Sequence, residues 1–307
     1  MKISVAVCTY NGEKFLHQQI DSILGQSVQV DEIIVCDDGS TDQTARIVSE
    51  YQNTFPEIFK LHINKENLRS VKNFEKAISL CTGDIIFLSD QDDVWHPDKV
   101  KDFLKVFEEN PNIEVIASNA LTINEHGETI EKNTIWDIFR LFKQHHIPYT
   151  YFEVINLVGN IATGANMALK RSIINDIIPF PDQHYHHDEW IALVSSCKNT
   201  FYFIDDKKSC YRIHDQQQVG GIFFKDSEDI MMQRFNIHNN NVSFRILKRR
   251  ILLLKDKKNK ILSTENYASN PIFAQMLTSI QTYENHVKDH LKKTNFIQYQ
   301  LFKLLYF

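Results

Sequence analysis

Short apolar runs alternate with segments of helical period along the first hundred residues. The runs at 3–8, 32–36 and 84–89 are apolar at nearly every position, as strands covered on both faces must be, and 59–63 is a further strand-like run. Apolar residues fall at helical spacing between the runs: Phe15, Ile20, Ile23, Leu24, Ala45, Val48, Tyr51, Phe74, Ala77, Ile78 and Cys81. This order predicts an α/β fold with a parallel, doubly wound sheet.

Ligands of such sheets bind outside the carboxyl ends of the strands. The first run is followed by Thr9, Tyr10, Asn11 and Gly12, without the glycine pattern of a dinucleotide site, and the chain has no P-loop motif. Tyr10 suits stacking on a nucleobase, whereas Asn-Gly is also an ordinary turn, and both interpretations stay open.

Two aspartates follow the second run. An acidic side chain at this position is well placed to accept hydrogen bonds from a ribose hydroxyl or a base imide. We assign this role to Asp37, with Asp38 as the alternative.

An acidic cluster follows the fourth run. Asp90, Asp92 and Asp93 lie within four residues, and like charges at 4 Å repel by about 1 kcal/mol per pair even in water. A nearby helix opened by Pro97 offers Asp93 a structural role but leaves Asp90 and Asp92 unexplained. Carboxylate oxygens suit Mg²⁺ or Mn²⁺, so the cluster predicts a metal-diphosphate site.

Charge and cysteine content narrow the class of protein. The net charge of −5 argues against a nucleic-acid-coating protein, and the five cysteines are widely spaced without a Cys-x-x-Cys pair. They resemble core residues of a reducing compartment, and the longest apolar stretch is shorter than a membrane span. We therefore expect a cytoplasmic protein, with peripheral contact at the inner face of the cell membrane as an open alternative.

The order of motifs resembles the inverting family 2 nucleotide-sugar glycosyltransferases of the GT-A fold, and within them a bacterial, rhamnosyltransferase-like branch. The matching stretches are VAVCTYNG at 5–12, IIVCDDGSTD at 33–42, NLRSVKNFEKAI at 67–78, GDIIFLSDQDDVWHPDKV at 83–100, TGANMALKR at 163–171, HHDEW at 186–190 and YRIHDQQQVGG at 211–221. The resemblance implies a Rossmann-like, mostly parallel sheet with helices on both faces.

The resemblance also implies roles for the donor-side residues. The residues implied to bind the nucleotide are Thr9, Tyr10, Asn11, Asp37, Asp38, Lys72, Asn73 and Asp90. Asp90 and Asp92 form the DxD motif, and Asp92 or Asp93 contacts the metal on the donor diphosphate, with His214 completing that metal site or contacting the diphosphate.

On the acceptor side, the resemblance implies that Asp188 is the catalytic base of a single, inverting displacement, with Glu189 as the alternative. Trp190 would stack on an acceptor sugar and Arg212 would offset phosphate charge. The remaining implied substrate contacts are Gly164, Asn166 and Glu189, and 215–221 would form a mobile loop over the donor. The neighbouring histidines also permit a zinc site, although no zinc-ligand spacing supports it.

The C-terminal part differs from the rest. From residue 215 onward there are 14 basic and 8 acidic residues, and the segment 245–262 combines eight basic residues with one acidic residue. We predict a GT-A domain at 1–221 and a helical, basic region at 222–307. This region either lies on anionic membrane, suiting a lipid-linked acceptor, or packs as a cap on the catalytic domain or a second subunit.

Two other functions stay open. A catalytically inactive nucleotide-sugar binder or scaffold could share this fold. A phosphatase with an Asp-x-Asp nucleophile would carry that motif after the first strand, whereas here it follows the fourth. The favoured prediction is a metal-dependent enzyme of cell-surface polysaccharide synthesis that transfers a sugar from a UDP- or dTDP-sugar to a saccharide, free or lipid-linked.

Overall fold

An eight-stranded mixed sheet forms the centre of the chain. The computed structural model describes residues 1–181, 183–215, 217, 222–223, 228–239, 242–264 and 267–306. The strands are β1 (Ile3–Thr9), β2 (Glu32–Asp37), β3 (Phe59–Ile63), β4 (Ile85–Ser89), β5 (Val94–Trp95), β6 (Val115–Ile123), β7 (Met167–Lys170) and β8 (Phe201–Arg212). Their order across the sheet is β3-β2-β1-β4-β7-β6-β8-β5.

The first four strands are parallel, as the sequence predicts. All residues of β1, β2 and β4 are buried, because helices cover both faces of the sheet there. The second half is mixed: β7 runs antiparallel to β4 and β6, and β6 runs parallel to β8. The last strand, β8, ends at Arg212, so His214 lies just beyond the sheet.

Helices form a layer on each side of the sheet. They are α1 (Leu16–Leu24), α2 (Thr44–Thr54), α3 (Arg69–Leu80), α4 (Lys99–Glu109), α5 (Ile138–Gln144), α6 (Tyr151–Leu157), α7 (Ile174–Ile177), α8 (His187–Cys197), α9 (Glu228–Phe235), α10 (Phe244–Ser263), α11 (Pro271–Thr294) and α12 (Phe296–Tyr306). Alternate residues of β1 point to opposite cores: Val5 and Val7 join α1, α2 and α4, whereas Ala6 and Cys8 join α3 and α8.

The C-terminal helices share the second of these cores. Leu247, Ile251 and Leu254 of α10 are buried in it, and Phe273 of α11 packs 5.2 Å from Trp190 between ring centroids. The apolar face of the basic segment 245–262 therefore packs mainly against the protein, as the cap interpretation expects. The boundary between 221 and 222 stays a prediction. Within the described ranges, none of the helices has the length and apolarity needed to cross a bilayer.

Candidate active site

Two loops meet at the carboxyl ends of β1 and β4. The amide of Gln91 pairs with the backbone of Tyr10, accepting from its N–H at 2.7 Å and donating to its carbonyl at 3.0 Å. Gly12 makes this contact possible, because a Cβ there would lie 2.3 Å from the Gln91 Oε1 atom. The Tyr10 side chain is 42% exposed, so its ring is available for the predicted stacking on a base. Asn11, also exposed, accepts a hydrogen bond from the Thr41 N–H at 2.8 Å.

Asp37, the last residue of β2, and Asp38 are buried, and their carboxylates accept several hydrogen bonds. Asp37 accepts hydrogen bonds from the Thr9 hydroxyl and from the Ser40 N–H and hydroxyl. Asp38 accepts from the N–H groups of Leu68 and Arg69 and from the amide of Asn64. These six bonds hold the loops after β1, β2 and β3 together.

This engagement corrects part of the predicted nucleotide site. The predicted members Thr9, Asp37, Asp38 and Asn73 are all buried, and Asn73 donates to the Cys36 carbonyl at 2.8 Å. The ammonium of Lys72 is bound by Glu75 at 3.1 Å and by the Phe180 carbonyl at 3.2 Å. In this structure these side chains shape the loops, whereas Tyr10 and Asn11 are the exposed members of the predicted set.

We define the acidic cluster as Asp90, Asp92 and Asp93. Unlike Asp37 and Asp38, these carboxylates lie close to one another without enough hydrogen-bond donors to balance their charge. Burial, followed by repulsion from Asp92 and Asp188, raises the pKa of Asp90 to about 7. Burial and the same kind of repulsion raise the pKa of Asp93 well above its usual range. The Asp92 carboxylate lies 2.9 Å from the His214 Nε2 atom, so the predicted metal ligands Asp92 and His214 are neighbours.

Asp188 belongs to the same site. It lies in the first turn of α8 and accepts hydrogen bonds from the N–H groups of Glu189 at 2.6 Å and Gly164 at 3.3 Å. Burial raises its pKa to about 6 against these hydrogen bonds. The three carboxylates of the acidic cluster and Asp188 all raise the pKa of Tyr211, after burial, so the four charges converge on one region.

Arg212 has a structural role in place of the predicted phosphate contact. It is 2% exposed, and its guanidinium donates to the Asp92 carbonyl, the Asn124 carbonyl and the side chain of Gln18. Its backbone N–H donates to Asp93 at 2.9 Å. Because the side-chain nitrogens are engaged within the protein, Arg212 fixes the loop of the acidic cluster and is not presented to a ligand.

The prediction for Trp190 is wrong. Its ring is 2% exposed, packs against Tyr185 and Phe273, and donates its indole N–H to the Ile177 carbonyl, so it cannot stack on an acceptor. Asn166 is also buried and accepts from the Ser209 hydroxyl. Glu189 lies 3.8 Å from Lys257. Residues 216 and 218–221 of the predicted loop over the donor lie outside the described residues.

The donor set fits a hard divalent ion. No ready-made group of three metal-ligating His, Cys, Asp or Glu side chains occurs in the described part of the chain. However, the buried Asp93 Oδ2 atom has no hydrogen-bond partner among the described residues, and the neighbouring carboxylates repel one another. Unsatisfied carboxylate oxygens of this kind suit Mg²⁺ or Mn²⁺, so the predicted ligands Asp92, Asp93 and His214 stay candidates, with Asp90 as a further carboxylate of the cluster.

Two residues of the site were not predicted from the sequence. Gln91 joins the two loops, and nothing in its pattern indicates that role. Lys99 is fully buried near Asp90 and Asp93. Its signal was available, because Lys99 shares an apolar helical stripe with Phe103 and Phe107 at spacings of four residues.

Sequence comparisons identify similar proteins. The family model for glycosyl transferase family 2 matches residues 4–178. The dTDP-rhamnosyl transferase RfbG of Shigella flexneri is 31% identical over 231 residues, which cover 71% of this chain and 75% of that protein. The putative glycosyltransferase EpsE of Bacillus subtilis is 36% identical over 126 residues, 41% of this chain. The match spans 45% of EpsE, less than half of that relative.

Solved structures share the fold at low identity. The Staphylococcus aureus TarS fragment 1–349, in complex with UDP, aligns with a TM-score of 0.54 and 19% identity, covering 90% of this chain and 71% of that one. The mannosyltransferase PcManGT of Pyrobaculum calidifontis, in complex with GDP-Man and Mn²⁺, aligns with a TM-score of 0.52 and 16% identity, covering 96% and 76%. These similarities confirm the predicted GT-A fold.

Proposed function

Because this chain belongs to glycosyl transferase family 2, we propose that it is an inverting, metal-dependent glycosyltransferase. It would transfer a sugar from a nucleoside-diphosphate sugar to a saccharide acceptor, free or lipid-linked, in cell-surface polysaccharide synthesis. The observation that carries the proposal is the convergence of the acidic cluster and Asp188 at one end of the sheet. The acidic cluster, with a bound cation, would balance the charge of the leaving group. Asp188 would be the base.

Asp188 acts as the base. Its pKa of about 6 leaves it largely ionised at neutral pH, yet basic enough to accept a proton from an attacking hydroxyl. The N–H groups of Gly164 and Glu189 fix the orientation of the carboxylate. The acceptor oxygen forms a bond to the anomeric carbon while the bond to the diphosphate breaks, so one displacement inverts the anomeric centre.

The donor lies along the loops after β1 and β4. Tyr10 stacks on the base, while Asp37 and Asp38 hold the loops that surround it. Asp92, Asp93 and His214 would hold a Mg²⁺ or Mn²⁺ ion, with Asp90 as a further carboxylate of the cluster. When bound, the ion supplies positive charge that stabilises the departing nucleoside diphosphate.

The donor nucleotide is uracil- or thymine-based in this proposal. RfbG, named a dTDP-rhamnosyl transferase, is similar over most of the chain, and TarS binds UDP. We therefore expect dTDP-rhamnose and UDP-sugars to be the first donors to test.

Donor hydrolysis tests the proposal. UDP- and dTDP-sugars are incubated with the protein and Mn²⁺, and nucleotide release is measured for the wild type and Asp92→Asn, with donor binding followed by calorimetry. We expect turnover in the wild type, and in the variant a loss of at least about a hundredfold. Donor binding without release from any sugar or acceptor would instead identify a catalytically inactive binder.

The acceptor side of the proposal includes contact with an anionic bilayer through α12. Among the described side chains of this helix, four large apolar ones are exposed: Phe296 (60%), Ile297 (75%), Leu301 (49%) and Leu304 (85%). The last three fall within a narrow arc of the helix. The end of α11 carries Lys292 and Lys293, and α12 carries Lys303. The stretch 296–306 contains no acidic residue. Apolar side chains beside lysines suit anionic lipid at the inner face of the cell membrane.

Vesicle flotation tests this surface. We expect the wild type to float with vesicles containing phosphatidylglycerol, and the triple variant Ile297→Glu, Leu301→Glu, Leu304→Glu to stay in solution. Ile63→Glu is the matched control, because Ile63 is 57% exposed on the edge strand β3. If the triple variant floats like the wild type, the lipid contact is wrong. A change from dimer to monomer in light scattering without any lipid effect would assign α12 to a second copy.

A further inference from the structure

Lys99 occupies an unusual position for a lysine. It is the first residue of α4 and has no exposed surface. Its ammonium donates to the Ala165 carbonyl at 2.7 Å and lies 4.2 Å from the centroid of the Trp95 ring. A carbonyl and an aromatic face only partly replace water around an ammonium, so a buried lysine needs negative charge nearby.

The acidic cluster supplies that charge. Burial lowers the pKa of Lys99 to about 7, while Asp93 and Asp90 act in the opposite direction. Lys99 in turn lowers the raised pKa values of Asp90 and Asp93. The buried ammonium therefore offsets part of the charge of Asp90 and Asp93 from inside the protein.

Lys99 also connects the cluster to the base. The segment Gly164–Asn166 that accepts the Lys99 hydrogen bond at Ala165 also donates the Gly164 N–H to Asp188. One residue therefore contacts the backbone that orients Asp188 and interacts with the charges of the acidic cluster.

We propose that Lys99 is a positioning residue, an internal counter-ion that holds the acidic cluster and the Gly164–Asn166 segment in register. It does not contact the reacting atoms. The kinetic part of this inference rests on the proposed glycosyltransferase activity, whereas the counter-ion part concerns the folded protein alone.

Three variants separate charge from hydrogen bonding. Lys99→Met removes both, Lys99→Gln keeps a donor for the Ala165 carbonyl without the charge, and Lys99→Arg keeps the charge. Lys101→Met is the matched control, because Lys101 lies on the same helix with a 63% exposed side chain. Thermal unfolding is measured for each protein with and without Mn²⁺, followed by kcat and donor KM.

A resident counter-ion predicts that Mn²⁺ raises the melting temperature of Lys99→Met and Lys99→Gln more than that of the wild type, because an added cation replaces the lost one. Lys99→Arg and Lys101→Met should respond like the wild type. We expect kcat of Lys99→Gln to fall about tenfold, with donor KM changed by less than about threefold.

If Mn²⁺ shifts the melting temperature equally in the wild type and all variants, or shifts none of them, the counter-ion role is overturned. If Lys99→Gln keeps the kcat of the wild type, the positioning role is overturned. If Lys99→Met does not fold, comparing Lys99→Gln with Lys99→Arg still tests whether the charge at position 99 is needed. The melting data are independent of the donor, so a wild type without turnover contradicts the proposed activity and leaves this test intact.

Discussion

The two ends of the sheet treat buried carboxylates in opposite ways. At the amino end, Glu32 at the start of β2 is 1% exposed and accepts hydrogen bonds from the ammonium of Lys60, the hydroxyl of Ser4, and the N–H and hydroxyl of Thr82. Burial alone raises its pKa, but these donors outweigh burial and lower it to about 2. At the carboxyl end, burial and mutual repulsion raise the pKa of Asp90 to about 7.

The difference separates structural acids from functional ones. A carboxylate whose donors come from the protein stabilises the fold and has little left to offer a ligand. Carboxylates held together without enough donors are unfavourable in the free protein and become favourable when a cation or a proton arrives. Asp37 and Asp38, at the end of β2, belong to the first class despite lying at the functional end, because each carboxylate accepts three hydrogen bonds.

The largest expected effect concerns Asp188. Asp188→Asn keeps the size of the side chain and removes the base, so we expect kcat to fall about 10²–10⁴-fold with a small change in stability. Glu189→Gln is the matched control, an adjacent acid that lies 3.8 Å from Lys257, and we expect it to retain activity within about threefold. Steady-state donor turnover at pH 7.5 measures both. The reverse ranking would move the base to Glu189.

Glu32→Gln tests the structural end. The lowered pKa means that ionised Glu32 stabilises the fold above the pKa of the unfolded chain, and that this contribution is lost as pH falls toward 2. We expect the free energy of unfolding to fall by about 2 kcal/mol at pH 7, less than the full shift implies, because half-exposed Lys60 is screened by solvent. Urea unfolding measures it. Mn²⁺ affinity should not change, and a change there would erase the distinction between the two ends.

The fold was largely predictable from the sequence, because its first half is built from local patterns. The apolar runs gave β1, β2, β3 and β4 within one residue at each end. The mixed second half was not predictable, because β5 and β7 have only two and four residues and depend on partners far along the chain.

The site was predictable in its charges and not in its contacts. The cluster of aspartates stood out because like charges need a reason to be together, whereas Asp188 was implied only by the family resemblance. Trp190 was misassigned because an aromatic residue beside a base has the same sequence pattern whether it faces solvent or Phe273. Arg212 was misassigned because its partners, the carbonyls of Asp92 and Asn124, are backbone atoms that no sequence pattern displays.

Gly164→Ala sharpens the comparison at the base. A Cβ at Gly164 would lie 2.2 Å from the His187 Nε2 atom, and that ring is stacked on Phe74 with centroids 3.9 Å apart. We expect a loss of stability of about 1–2 kcal/mol and lower turnover, because the Gly164 N–H that orients Asp188 must shift. When His187→Ala is already present, Gly164→Ala should cause almost no further loss in the free energy of unfolding. Equal costs in both backgrounds, measured by urea unfolding, would show that the two residues are not coupled.

The smallest expected effect is an increase in stability. Asp90 binds a proton more tightly in the folded protein than in the unfolded chain, so its contribution is favourable at low pH and is lost as pH rises from about 4 through about 7. Asp90→Asn cannot ionise, so it does not lose stability as pH rises. Without metal, we expect the variant to match the wild type near pH 4 and to be about 1 kcal/mol more stable at pH 8. Asp206→Asn, at an 80% exposed side chain, should show no such trend.

Added Mn²⁺ should then stabilise the wild type more than Asp90→Asn, reversing their order of stability. If Asp90→Asn is instead destabilised at pH 8 without metal, the carboxyl end holds its acids as the amino end holds Glu32, and the distinction between structural and functional carboxylates fails for this protein.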